Sequence, residues 1–281
     1  MGRGFTHEYV ISRSLPISGR DLLFREKKKR GGLKMNKFLV AGYLFSVGVF
    51  VPAVGQAMHI MEGFLPQEYA FGWLLVALPF VFAGSIKIKK LLEQHPERKM
   101  LLGLAAAFIF VLSALKIPSV TGSSSHPTGV GLSAVLFGPA ISSVLSGIVL
   151  AFQALLLAHG GITTWGANTF SMGIAGSFIA WGMFQVARRV GLPDKKAIFL
   201  AATVGDWATY MVTAGQLALA FPDPVGGIWM AFAKFLGVFA VTQLPLAVSE
   251  GLLSVVVYNA LTQYREEGLI EFGPKKQRSD V

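Results

Sequence analysis

Chemistry is concentrated in the run Met58-His59-Ile60-Met61-Glu62-Gly63-Phe64-Leu65-Pro66, because the segment before it has the build of a cleavable leader. Cleavage after Ala57 would leave Met58 as a free N-terminus with histidine second. Such a terminus is a chelator by geometry. The α-amine, the His59 amide nitrogen and the His59 imidazole Nδ1 close one five-membered and one six-membered ring around a single ion. These three nitrogens are coplanar, and a fourth completes a tetragonal set that suits Ni(II), Cu(II) or low-spin Co(II) better than tetrahedral Zn(II). The candidate for that fourth nitrogen is His126, in the loop Ile117-Pro118-Ser119-Val120-Thr121-Gly122-Ser123-Ser124-Ser125-His126-Pro127-Thr128-Gly129.

The leader has three parts in the right order: a basic start at Lys34, Asn36 and Lys37, an apolar stretch over 38–51, and the small-x-small site Gly55-Gln56-Ala57. The apolar stretch is shorter than the roughly 20 residues of a membrane span, and Pro52 follows it. An uncleaved first transmembrane helix is the alternative. Residues 1–34 are basic, lack periodicity and contain Arg25-Glu26-Lys27-Lys28-Lys29-Arg30. A native arm of this kind would be a solvated, disordered tail. Arg30-Gly31-Gly32 can also be encoded by a purine-rich ribosome-binding sequence a few codons before Met35, and the expected layout follows from that: 1–34 translated leader, 35–57 signal peptide, 58–262 membrane domain, 263–281 cytoplasmic tail.

Composition sets the class. With 53% hydrophobic and 14% charged residues and a mean hydropathy of +0.57, the chain reads as an all-α integral membrane protein. A net charge of +10 suits nucleic acid in a soluble protein, but in a membrane protein basic residues gather in cytoplasmic loops. No cysteine is present, so thiolate metal sites are excluded and histidine is the transition-metal ligand to look for. Apolar segments lie near 69–88, 100–116, 139–158, 169–187, 197–220 and 229–261, with a shorter one at 129–138.

Charge then orients these elements. Lys87, Lys89, Lys90, Arg98 and Lys99 form one basic loop, Arg188, Arg189, Lys195 and Lys196 a second, and Lys275, Lys276 and Arg278 the tail. All three belong on the cytoplasmic side. An external mature N-terminus then requires an odd number of crossings between Lys116 and Arg188, which recruits 129–138 as a short span and brings the bundle to about seven helices. On this topology Met58-His59 and the 117–129 loop share the outer face. The loop is too polar for a lipid-facing helix and must lie inside protein or beside a cavity. His159, beside Gly160-Gly161, is expected at the inner end of a span and outside the site. His95 is expected to be solvated in the inner loop.

The run 58–66, the loop ending in Ser-His-Pro-Thr-Gly, the stretch 132–139, Phe152-Gln153-Ala154-Leu155-Leu156-Leu157-Ala158-His159-Gly160-Gly161 and Gly166-Ala167-Asn168-Thr169-Phe170-Ser171-Met172 together resemble the CbiM/NikM family. Members of that family are the substrate-capture components of energy-coupling-factor (ECF) importers for cobalt and nickel. The resemblance covers 58–261 and implies a seven-helix membrane protein that binds Co(II) or Ni(II) through Met58, His59 and His126. It also implies a transmembrane coupling subunit, two ATPase subunits and a small accessory membrane subunit. The segment 235–261 resembles the cobalt branch, and cobalt for cobalamin synthesis is the implied use.

Other polar residues fit around this core. Glu62, Ser125 and Asn168 are candidates to support the ligands by hydrogen bonding. Asp206 and Glu250 lie within spans, where an acid is costly and is either paired or functional; a stand-alone cation carrier using these two acids is the rival reading. A membrane metalloenzyme with a histidine-bound metal is a third, though a closed four-nitrogen set leaves no open position for it. The chain has neither a G-x-x-x-x-G-K-[ST] phosphate loop nor H-E-x-x-H, so ATP hydrolysis falls to separate subunits and the chain reads as a transporter subunit.

Amide coordination needs the adjacent amine as anchor. Blocking cleavage at Ala57, or inserting one residue before Met58, is therefore expected to abolish metal binding while the membrane fold persists. Isothermal titration of the uncleaved protein checks this, and tight binding there would count against the whole site.

Overall fold

The computed structural model describes residues 59–118 and 124–268. The expected leader, the expected signal peptide, Met58 and most of the expected tail lie outside these residues. The chain opens with a short irregular segment and enters α1 (Gln67–Gln94) and α2 (Arg98–Ala114). A two-residue antiparallel pair follows, β1 (Ile117–Pro118) with β2 (Ser124–Ser125). Next come α3 (Val130–Phe137), α4 (Pro139–Leu157) and α5 (Trp165–Asn168), which runs through a π-helical stretch at Thr169–Gly176 into α6 (Ser177–Arg189). Helices α7 (Asp194–Ala220) and α8 (Gly227–Glu266) complete the bundle.

Among the described residues every apolar segment read from the sequence forms helix, as it must where no water can satisfy the backbone. Five helical rods among the described residues are long and apolar enough to cross a membrane: α1, α4, the continuous 165–189 rod, α7 and α8. Helices α2, of 17 residues, and α3, of 8, are shorter. The chain is a multi-pass membrane protein. Its rods carry apolar side chains outward, with Phe82, Met100 and Leu156 about 70% exposed, and that outward face suits lipid.

Inside, the closest helix contacts are made by small residues and hydroxyls. A Cβ on Gly131 of α3 would fall 2.4 Å from the Ala202 Cα of α7, so this crossing is in backbone contact. Ser177 donates to Ser142 at 2.8 Å, Ser142 also bonds Ser133, and Ser143 donates to the Gly173 carbonyl at 2.8 Å. Interhelical hydrogen bonds of this kind each contribute roughly 0.6 kcal/mol in membranes. A larger apolar cluster beneath them is built on Ile109, Val130, Leu145 and Met172.

The fold has a polarity that matters for function. Helix α1 is 28 residues long, about 42 Å at 1.5 Å per residue, with His59 before its start and Lys87, Lys89 and Lys90 near its finish. The 165–189 rod likewise begins beside the His59 segment and ends at Arg188 and Arg189. The His59 segment and the basic clusters therefore occupy opposite ends of these rods.

Replacing Gly131 by leucine forces α3 off α7 and is expected to cost about 3 kcal/mol or more. The same change at Gly103, where an added Cβ meets nothing within 4 Å, is expected to be nearly neutral. Thermal unfolding in detergent distinguishes the two.

Candidate metal centre

The segment that carries His59 has no regular structure, so side chains from the 160–172 region must hold it. Asn168 does this with both ends of its amide. The Ile60 N–H donates to Asn168 Oδ1 at 2.8 Å, and Asn168 Nδ2 donates to the Ile60 carbonyl at 3.0 Å. The Thr164 hydroxyl donates to the same carbonyl at 2.6 Å. The Ile60 side chain is buried with Leu65, Ala70, Ala167 and Leu217, which adds apolar anchorage on the order of 1.5–3 kcal/mol. Asn168 thus grips the peptide next to His59 rather than its ring.

Three imidazoles meet behind this clasp. His59, His126 and His159 are each at most 1% exposed, and their ring centroids lie 4.4, 4.5 and 5.0 Å apart. One nitrogen from each lies within 4.8 Å of the other two. His59 Nε2 sits 3.2 Å from Met172 Sδ; thioether sulfur only accepts, so the proton is on Nε2 and the lone pair on Nδ1. That Nδ1 has no partner among the described residues. His126 is set the other way round. Its Nδ1 donates to the Pro127 carbonyl at 3.0 Å, leaving Nε2 bare and unpartnered. Both ring nitrogens of His159 lack partners among the described residues, and each such buried atom costs roughly 1–3 kcal/mol unless something occupies it.

His159 corrects the sequence reading, which set it at the inner end of a span. From the His126 loop the chain runs away along α3, turns at Gly138, where φ is +83°, and returns along α4. Left-handed Ala158 and Gly160, at φ +47° and +77°, then fold His159 in toward His59 and His126. One helix out and one helix back return the chain to the end it left, so His159 meets His126 at the same end of the bundle.

The supporting residues divide. Glu62 is exposed and accepts the Thr163 N–H at 3.1 Å; hydrogen bonding from the Thr163 side chain, joined by the backbone N–H groups of Thr163 and Ile162, holds its carboxyl below the usual range. It pins the 161–163 loop and does not support an imidazole. Ser125 is buried and bonds Thr242 of α8 at 2.8 Å, tying the loop to that helix instead of to a ligand. Asp206 and Glu250 are fully buried and both bonded: Gln243 donates to Asp206, and Thr128 donates to Glu250. His95 pairs with Glu97 at 3.1 Å and is partly exposed.

Burial, reinforced by the neighbouring rings, pulls the imidazoles of His59 and His159 well below their usual pKa of 6.5, and burial pulls His126 to about 4. All three are neutral near pH 7, the state in which a ring nitrogen can ligate a metal.

The family described as "Cobalt uptake substrate-specific transmembrane region", CbiM, matches residues 59–268. The chain belongs to this family. Among CbiM proteins, it is 58% identical over 235 residues to the "Cobalt transport protein CbiM" of Desulforamulus reducens, covering 84% of this chain and 93% of the relative. It is 60% identical over 212 residues to "Cobalt transport protein CbiM 2" of Pelobacter propionicus, covering 75% and 94%. A solved structure described as "an transition metal transporter" shares the fold, with a TM-score of 0.65 at 24% identity over 75% of this chain and 95% of that one. A truncated transition metal transporter gives 0.64 at 22% identity, over 73% and 99%. The CbiM region begins at His59, the first residue of the imidazole cluster.

The depressed histidine pKa values have a pH consequence with a definite sign. Below about 6.5 the unfolded chain takes up protons that the buried rings refuse, so stability of the metal-free protein is lost as pH falls from about 6.5 through about 4. His159→Phe removes one such ring and is expected to flatten that decline, read as Tm at pH 7.5, 6 and 5; an unchanged slope would contradict it.

Proposed function

We propose that this protein captures Co(II) at the outer face of the cytoplasmic membrane and delivers it inward as the substrate-specific component of an ECF-type importer. The carrying observation is the cluster of three buried, neutral imidazoles with four ring nitrogens that have no partner among the described residues. Members of CbiM are named as cobalt transport proteins, which supports cobalt as the cargo over nickel and a transporter over an enzyme.

In this reading the leader is removed after Ala57, and the Met58 amine, the ionised His59 amide and His59 Nδ1 chelate the ion. His126 Nε2 closes the plane. His159 brings a further imidazole to the same ion, outside the four-nitrogen set read from the sequence. The basic ends of the rods lie on the cytoplasmic side, which puts the histidine end and the mature N-terminus outside and the C-terminus inside. A transmembrane coupling subunit, two ATPases and a small accessory membrane subunit complete the importer, and cobalt entering this way supplies cobalamin synthesis. A stand-alone carrier would need Asp206 and Glu250 free to bind and release cations, and both are engaged by hydrogen bonds in the fold.

Cobalt uptake into proteoliposomes with and without the coupling and ATPase subunits tests the assignment; ATP-independent accumulation by this chain alone would refute it. His59→Ala and His126→Ala are each expected to weaken Co(II) binding at least a hundredfold, about 2.7 kcal/mol, in titrations of the processed protein. The His59 change should be the more severe because it breaks a chelate ring.

A further inference from the structure

A carboxylate is among the costliest groups to bury in a membrane bundle, yet Glu250 and Asp206 are both 0% exposed, and both are engaged behind the histidine loop. Glu250 projects from α8. It accepts the Thr128 N–H, and its two oxygens accept the Thr128 hydroxyl at 3.1 and 3.0 Å. The N–H groups of Gly129 and Gly131 face the same carboxylate. These are the opening amides of α3, so the carboxylate meets the positive end of that helix. Every hydrogen-bond partner is a donor, so both carboxylate oxygens act as acceptors.

Asp206, from α7, accepts from Gln243 Nε2, and the same amide nitrogen donates to the His126 carbonyl at 3.2 Å. The backbone from His126 to Gly131 is therefore held from behind by one residue of α7 and two of α8, while Nδ1 of His126 is fixed on Pro127. Gln243 and Glu250 are seven residues apart, two turns along one face of α8. Between them lies Pro245, whose missing N–H deprives the Val241 carbonyl of its helical donor and weakens α8 at that point.

We propose that Glu250 is a positioning residue that sets His126 Nε2 at the metal through Thr128 and the start of α3, and carries occupation of the site into the proline-weakened stretch of α8. Asp206 and Gln243 form the second attachment of the same loop. The inference rests on His126 being a ligand, and it adds a route by which a filled site on one face alters a transmembrane helix.

The test uses the processed full-length protein in detergent, with Co(II) and Cu(II) as probes. Glu250→Gln keeps the volume but puts an amide N–H against donors. It is expected to lower Co(II) affinity tenfold or more and to shift the Co(II) absorption and Cu(II) EPR spectra to those of His126→Ala. Thr128→Val, which keeps the backbone N–H, should give a smaller shift in the same direction and provides the reading if Glu250→Gln does not fold. In the wild type, Co(II) should slow hydrogen exchange over 241–250, and in Glu250→Gln it should not.

Lowered Tm with an unchanged metal spectrum in folded variants would reduce Glu250 to a purely structural role and overturn the proposal. Exchange over 241–250 that is indifferent to Co(II) in the wild type would overturn the coupling. If His126→Ala itself leaves the spectrum unchanged, the ligand assignment fails first and this inference falls with it.

Discussion

The grip of Asn168 on the peptide of Ile60 is the interaction on which the rest of the site depends. A segment without helix or strand has backbone groups that must be satisfied, and a membrane bundle supplies no water to do it. Asn168 and Thr164 satisfy both polar groups of Ile60, which lets an irregular segment lie inside the bundle and places His59 next to them. The π-helical stretch begins immediately after Asn168 and carries Met172, whose sulfur orients the His59 ring. One rod thus supplies both the clasp and the ring's partner, and π-type irregularity is frequent where a helix bears functional side chains.

The same economy explains the back of the site. The His126 loop carries two glycines and two prolines within 117–129 and cannot propagate helix, so the His126 carbonyl and the Thr128 and Val130 N–H groups are taken up by Gln243, Glu250 and the side chain of Thr128. Two acids that look, as single residues, like proton or cation relays are here the acceptors that an irregular backbone requires. A buried carboxyl group is tolerated when donors meet its oxygens. Thr128 and the opening amides of α3 do so for Glu250.

Only neutral imidazoles can be packed this closely in a dry interior. Three protonated rings within 5.0 Å of one another would repel and would also be desolvated, so burial itself enforces the ligand-competent state. The tautomers follow from single contacts: a sulfur on His59 and a carbonyl on His126 leave opposite nitrogens bare. His159 has no such contact among the described residues, which makes it the least determined of the three rings.

Much of this protein was legible in its residues. The apolar segments between 69 and 261 are local properties of 10 to 33 residues at a time, and each became helix near the expected bounds, with 69–88 appearing as Gln67–Gln94 and 197–220 as Asp194–Ala220. His59 and His126 were identifiable as ligand candidates because an X-His sequence and a polar loop between spans are themselves local signals, and the family likeness rests on such runs. The tertiary structure alone decided the partners. It brought His159 to His59 across 100 positions, turned Glu62 to Thr163 and Ser125 to Thr242, and set Glu250 under Thr128 from 122 positions away. Hydropathy and spacing report what a helix is made of; which helix ends meet, and which lone pair is left bare there, depends on how rods of unequal length pack against each other.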